Sequence, residues 1–207
     1  MEVYAAMIHC LDRNVGRLIA ALKVRGELEN PLILFASDNG ASSEVVEIGE
    51  GEIGAIDRWS SQKGRWANVS NTPFSKYKNF SHEGGISTPL IAHWPAGIKA
   101  RGEFVRTPTH FIDVLPTLLE LAGGTYPERY EGTAVIPADG VSLVPILEGK
   151  SLERAEPLYW SWGRGAAMRQ GRWKIVRSRA KGAVWQLHDM EVDRTESKDL
   201  AGSQPER

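Results

Sequence analysis

Along the first two dozen residues, apolar side chains recur at steps of three and four: Tyr4, Met7, Ile8, Leu11, Val15, Leu18, Ile19 and Leu22. That spacing gathers them on one stripe of a helix. Gly26 is placed to stop it, Lys23 and Arg25 suit the negative end of the helix dipole, and Glu2 suits the start. After a short connection the pattern changes. Residues 31–40, PLILFASDNG, are apolar without alternation between a proline and a glycine, which predicts a strand buried on both faces, as inside a parallel sheet. The run delivers Asp38 and Asn39 to its carboxyl end. In open α/β sheets ligands gather there, and adjacent oxygen-bearing side chains suit a cation. Asp-Asn-Gly also ends strands simply because it tolerates positive φ in a turn, so taken alone the stretch supports both readings.

Residues 41–72 lose all periodicity and are rich in Ser, Gly, Glu and Asn, with isolated Trp59 and Trp66. A structureless connection of that length is usually functional or disordered. The tryptophans either line a cleft or pin the loop to the body. Within residues 71–97, Lys76, Lys78, His82 and Glu83 cluster just ahead of Gly84-Gly85, and residues 89–94 read as a second strand. The cluster is either a solvated loop or a place where an ammonium meets an anionic group. Residues 109–124 predict a helix with a leucine-rich face, Pro116 near its start and Gly123-Gly124 at its end. Residues 139–149 predict turn and short helix with a packing role. From Pro157 onward, short β-like runs at 158–162, 166–169, 173–177 and 184–188 predict a small antiparallel sheet with a hairpin turn at Gln170-Gly171. A polar tail follows, with no closing core element expected. The division that results is a main α/β domain over residues 1–149 and a small subdomain over residues 150–207.

Composition narrows the partners. The 207 residues are 42% hydrophobic and 25% charged, which describes a globular chain. Twenty-five basic against 26 acidic residues leave a formal charge of −1, so no net field argues for nucleic acid or an anionic membrane. No run reaches transmembrane length. The single cysteine, Cys10, lies on the helix's apolar pattern, where a buried and inert thiol is expected. Met1 leads straight into that helix with no leader pattern, which predicts either a cytoplasmic chain or one whose natural start lies elsewhere.

Five blocks, FASDNG, YKNFSHEGGISTPLIAHWPAGI, FIDVLPTLLELAG, DGVSLVPILEG and RQGRWKIV…WQLHDMEVDRTESKDLA, together resemble the carboxyl-terminal part of a sulfatase, arylsulfatase-like in subgroup, over essentially the whole chain. The resemblance implies an α/β, alkaline-phosphatase-like fold and hydrolysis of sulfate esters to an alcohol or phenol plus sulfate. It implies one divalent cation, Ca²⁺, with Asp38 and Asn39 as two of its oxygen ligands. It also implies that Lys78, five residues before Glu83-Gly84-Gly85, contacts the sulfate and helps the ester oxygen depart. Lys76 does not match and reads as a surface charge. Ile86-Ser87-Thr88 stands where many sulfatases carry an arginine, a form also found among arylsulfatases.

The family's nucleophile is a cysteine or serine in Cys/Ser-x-Pro-x-Arg, converted to formylglycine and lying in the amino-terminal half with a second pair of metal-binding aspartates. The chain shows no counterpart of that half-site. Cys10 is followed by Leu-Asp-Arg-Asn and is rejected as nucleophile. The resemblance therefore implies a fragment, inactive alone, whose parent acts on a small-molecule or carbohydrate sulfate ester. Members of the family are commonly periplasmic, secreted or lysosomal. Two other readings stay open from the sequence: a phosphate mono- or diesterase of the same superfamily, and a non-catalytic module on a sulfatase scaffold. His82 either faces the cleft or serves as a local hydrogen-bond partner. Asn68 and Asn79 match glycosylation sequons, which arise readily by chance.

Overall fold

The computed structural model describes residues 1–99 and 102–206. In chain order the elements are helix α1 (Glu2–Val24), strands β1 (Ile33–Ala36), β2 (Glu47–Ile48) and β3 (Trp59–Ser60), helices α2 (Lys63–Ser70) and α3 (Glu83–Ile86), and strand β4 (Leu90–His93). A 3-10 turn (Phe111–Asp113) then leads into α4 (Val114–Leu121), followed by β5 (Arg129–Tyr130), β6 (Thr133–Ala134), α5 (Val144–Leu147) and four strands, β7 (Leu158–Trp162), β8 (Gly165–Gln170), β9 (Trp173–Arg177) and β10 (Gln186–Asp189). The chain forms two compact units. One comprises residues 1–26, 34–91 and 157–207, and the other residues 27–33 and 92–156.

In the first unit, α1 runs as the spacing requires, with Gly26 at φ +70° closing it through a bond from its N–H to the Lys23 carbonyl. Its apolar stripe is uncovered. No residue of α1 is buried, and Met7, Ile8, Leu11 and Leu18 are exposed, so the expectation of a buried Cys10 is corrected to an exposed thiol. β1 is likewise not sandwiched on both faces. It pairs with β4 in a two-stranded sheet, and Phe35 remains exposed. Residues 41–72 are not structureless either. β2 and β3 pair as a short antiparallel ladder, and α2 follows. Two-residue strands carry no readable alternation, and Gly64 near the start of α2 breaks its helical pattern, so the sequence signalled neither. Trp59 and Trp66 are both exposed and pin nothing down.

The antiparallel sheet of the same unit has the order β10-β9-β8-β7. Register places Leu158 opposite Arg169, Arg169 opposite Lys174, and Lys174 opposite His188, while Trp160, Ala167, Val176 and Gln186 form the neighbouring row. Because side chains alternate across a strand, both rows share one face. That face is largely buried, with Leu158, Ala167, Lys174, Val176 and His188 all under cover. The two-residue hairpin loop is Gly171-Arg172, one residue later than the sequence suggested, since Gln170 still pairs with Trp173. The tail also departs from expectation. Met190 is buried, Leu200 N–H donates to the Leu187 carbonyl at 2.8 Å, and the Glu196 side chain is fully enclosed.

In the second unit Asp113 is the hub. Its enclosed carboxylate accepts from His110 N–H (2.7 Å), Val141 N–H (3.0 Å) and Arg154 Nη2 (2.5 Å). Thr117 Oγ1 donates to the Asp113 carbonyl and accepts from Leu143 N–H. The polar side of α4 is thus the buried one, while Leu115, Leu118 and Leu121 are exposed. Residues 139–147 serve the packing role expected of them, with Leu143 and Leu147 buried.

Candidate functional site

Asp38 and Asn39 follow β1 and begin a turn whose position is set by glycines. Gly40 N–H donates to the Gly85 carbonyl at 3.0 Å, and a Cβ on Gly40 would stand 1.9 Å from the Gly84 carbonyl oxygen. Gly84 approaches the backbone carbonyls of Ser75 and Lys76 as closely, and Gly85 those of Tyr77 and Phe80. Real Cβ atoms do not fit such gaps, so glycine is required at all three positions. The Asp-Asn-Gly turn and the Glu-Gly-Gly turn are therefore held backbone to backbone. Lys78 joins them through its N–H, which donates to the Ala41 carbonyl at 3.1 Å.

The side chains are disposed as follows. Asp38 is exposed and Asn39 half-buried. Lys78 is half-buried, with Nζ 3.4 Å from Glu44 Oε1. A hydrogen bond from Ser42 and then the Lys78 ammonium hold the Glu44 carboxyl below its ordinary range. Nothing in the sequence singles out Glu44, because it lies in the stretch without periodicity.

Behind the Glu-Gly-Gly turn lies a buried ion cluster that sequence reasoning missed. Lys174 of β9, fully enclosed, sits 2.7 Å from both Glu83 Oε1 and Glu196 Oε1. Glu196 Oε2 in turn accepts from Glu83 N–H at 2.8 Å. A buried charge needs a partner or it neutralises, and here one ammonium serves two carboxylates. The alternation of β9 held the signal: Lys174 has the same parity as buried Val176.

His82, adjacent to Glu83, is buried, and its Nδ1 has no hydrogen-bond partner among the described residues. Burial pushes its pKa down, against the pull of Glu196, so the ring is neutral at pH 7. His110, at the capping box before α4, is lowered by burial too. Asn68 spends its side-chain oxygen on Lys76 N–H (3.1 Å), and Asn79 stands at φ +73°. No group of three or more His, Cys, Asp or Glu able to hold a metal occurs among the described residues.

The letters Ser-x-Pro-x-Arg do occur once, beginning at Ser203. Ser203 Oγ is bound to the Leu200 carbonyl in the exposed tail, and Arg207 lies outside the described residues. Its place at the carboxyl end is opposite to the one the resemblance implies, and we assign it no role.

Comparison with known proteins identifies the family. The family pattern described as Sulfatase matches residues 1–124, and that described as N-sulphoglucosamine sulphohydrolase, C-terminal, matches residues 74–206. An uncharacterized sulfatase of Schizosaccharomyces pombe is 33% identical over 229 aligned positions, covering 100% of this chain and 41% of the relative. An arylsulfatase of Klebsiella aerogenes is 34% identical, covering 76% of this chain and 37% of the relative. Among solved structures, Ps i-CgsB superposes with a TM-score of 0.74 at 28% identity, over 98% of this chain and 39% of that one. The chain belongs to the sulfatase family, and its α/β, alkaline-phosphatase-like fold follows. It spans about two fifths of the length of these relatives.

Proposed function

We propose that this chain carries one part of a site that hydrolyses sulfate esters, of arylsulfatase type, giving an alcohol or phenol and sulfate. The observation that carries the reading is the pair of backbone bonds, Gly40 N–H to Gly85 and Lys78 N–H to Ala41, that bring the Asp38-Asn39 turn beside Lys78. Asp38 and Asn39 would supply two oxygen ligands to a divalent cation, Ca²⁺ by the hardness of its donors. They fit in kind but make up only part of the roughly six to eight that Ca²⁺ takes. When bound, the cation would neutralise charge on the sulfuryl oxygens.

Lys78 does the remaining work available to this chain. Its ammonium hydrogen-bonds the bridging ester oxygen, offsets the negative charge that builds there as the S–O bond breaks, and can deliver the proton that completes the departing hydroxyl. At rest Glu44 occupies that ammonium, and the incoming sulfate displaces it. The Glu44 carboxylate thus keeps Lys78 oriented while competing weakly with substrate.

The test uses the complete polypeptide that carries this sequence, with an aryl sulfate as substrate. Lys78→Ala should lower kcat by about 100-fold or more, the usual loss when one charge-stabilising donor is removed. Asp38→Ala should weaken terbium binding followed by luminescence, independently of turnover. Glu44→Gln should lower KM by less than about fivefold, the size of an exposed ion pair. Faster turnover of the matching phosphate ester, or a Lys78→Ala enzyme within twofold of the parent, would sink the proposal.

A further inference from the structure

Beside the Lys174 cluster the first unit contains a half-open concavity of about 390 Å³ that none of Asp38, Asn39 or Lys78 lines. Its walls carry Ser75, Lys76, His82, Ser178, Gln186 and Glu196, with two aliphatic residues. The volume falls within the roughly 300–1,000 Å³ of small-molecule sites, but the lining is polar where such sites are usually apolar. Hydroxyls, an amide and an imidazole suit a polyhydroxylated ligand. The unpartnered, buried Nδ1 of His82 is the kind of orphaned group that a native structure leaves for a ligand or water to satisfy.

One cation, Lys76, lines this pocket, and a second, Arg179, meets the same Phe80 ring. Lys76 Nζ stands 5.6 Å and Arg179 Cζ 5.3 Å from the centre of the Phe80 ring, and Arg179 directly follows the lining residue Ser178. Among the described residues neither makes an ion pair. The Glu196 carboxylate in the wall is held by Lys174 and by Glu83 N–H. Lys76 is also held in an uncommon backbone state, φ +70°. Its N–H is fixed by Asn68, its carbonyl by Asn71 Nδ2 at 3.1 Å, and Gly84 packs against that carbonyl. Such constraints on a non-glycine residue concentrate at ligand clamps. Lys76 is exposed, the surface charge its sequence suggested, and its fixed backbone sets it at the rim of the pocket.

We propose that this concavity is an anion-binding pocket separate from the Asp38, Asn39 and Lys78 site. It takes a sugar-sized organic anion, a carboxylate or sulfate ester on a polyhydroxylated ring. Lys76 and Arg179 meet the charge, while Ser75, Ser178, Gln186 and His82 meet the hydroxyls. The inference needs no hydrolysis and stands apart from the reading above.

Calorimetric titration of the full chain with D-glucuronate, D-glucose 6-sulfate, D-glucose and inorganic sulfate tests it, with near-UV circular dichroism confirming that each variant is folded. At least one of the two anionic sugars should bind below roughly 10 mM, with glucose and inorganic sulfate at least about tenfold weaker. The tighter of the two identifies the anion as carboxylate or sulfate ester. Lys76→Ala should weaken binding about tenfold, the size of one charge-assisted hydrogen bond, Arg179→Ala should weaken it also, and Lys76→Arg should retain it. Lys78→Ala should leave the binding of D-glucuronate unchanged, which separates this pocket from the hydrolytic site. Equal affinity for inorganic sulfate and glucose 6-sulfate would mean an adventitious ion only. That result, no binding of either anionic sugar, or indifference to both Lys76→Ala and Arg179→Ala would overturn the proposal.

Discussion

Lys174 shows how much one side chain can settle in this chain. Its ammonium lies between Glu83 and Glu196 with no exposure to solvent, and the Trp160 ring lies 5.9 Å away. Removing the single cation leaves two carboxylates facing each other out of water, and breaking a buried pair from one side costs about 3–5 kcal/mol. Lys174→Met should therefore lower the free energy of unfolding by about that amount in a denaturant titration, with Glu83 and Glu196 still present. Lys174→Met combined with Glu83→Gln and Glu196→Gln should recover part of the loss, because the stranded charges go with the ammonium. A loss below about 1 kcal/mol for Lys174→Met alone would show that water reaches the cluster.

At the scale of elements, the tail loop after β10 is built on Asp193. Burial disfavours its charge, but N–H groups of Lys198 and Ser197 and hydroxyls of Thr195 and Ser197 outweigh that and push its pKa down from 3.8 to about 2. A carboxyl depressed on folding contributes stability that is fully present above the unfolded value and lost as pH falls through the folded one. Stability should thus decline between pH 3.8 and about 2. Asp193→Asn should flatten that decline by on the order of 1–2 kcal/mol, read from thermal unfolding across the range. How much of this was legible depended on whether an element declares itself locally. The α1 stripe, the four β-runs after Pro157 and the glycine stops did so, because propensity and period agree there. Asp38, Asn39 and Lys78 stood out locally as a strand end and a charged cluster open to two readings each, and only the ordered blocks of the resemblance chose between them. Glu196 and Lys174 stayed hidden because their pairing spans the turn from β9 to the tail and depends on Glu83, 91 positions before Lys174. Period alone cannot specify a partner so far away.

The whole molecule presents an uncommon surface for a chain of ordinary composition. On α1, Met7, Ile8, Leu11 and Leu18 are exposed, as are Phe35, Leu90 and Ile91 of the β1–β4 pair and Trp59 and Trp66. Exposed apolar surface in that quantity is an association hazard. With a formal charge of −1, long-range repulsion between copies is weak. The isolated chain should self-associate with rising concentration in sedimentation velocity and bind a fluorescent apolar dye. A concentration-independent monomer that leaves the dye dark would show that these side chains find cover in solution.

The enclosure of Glu196 also has a genetic meaning. A stop codon introduced just before residue 196 would delete only the final dozen residues, none of them at Asp38, Asn39 or Lys78. It would nonetheless strip Lys174 of one counter-charge and Glu83 N–H of its acceptor, loosening the turn that packs against Gly40. Truncation at residue 196 should therefore behave like a lesion at the heart of the first unit, while missense changes at exposed Gly202 or Ser203 pass unnoticed.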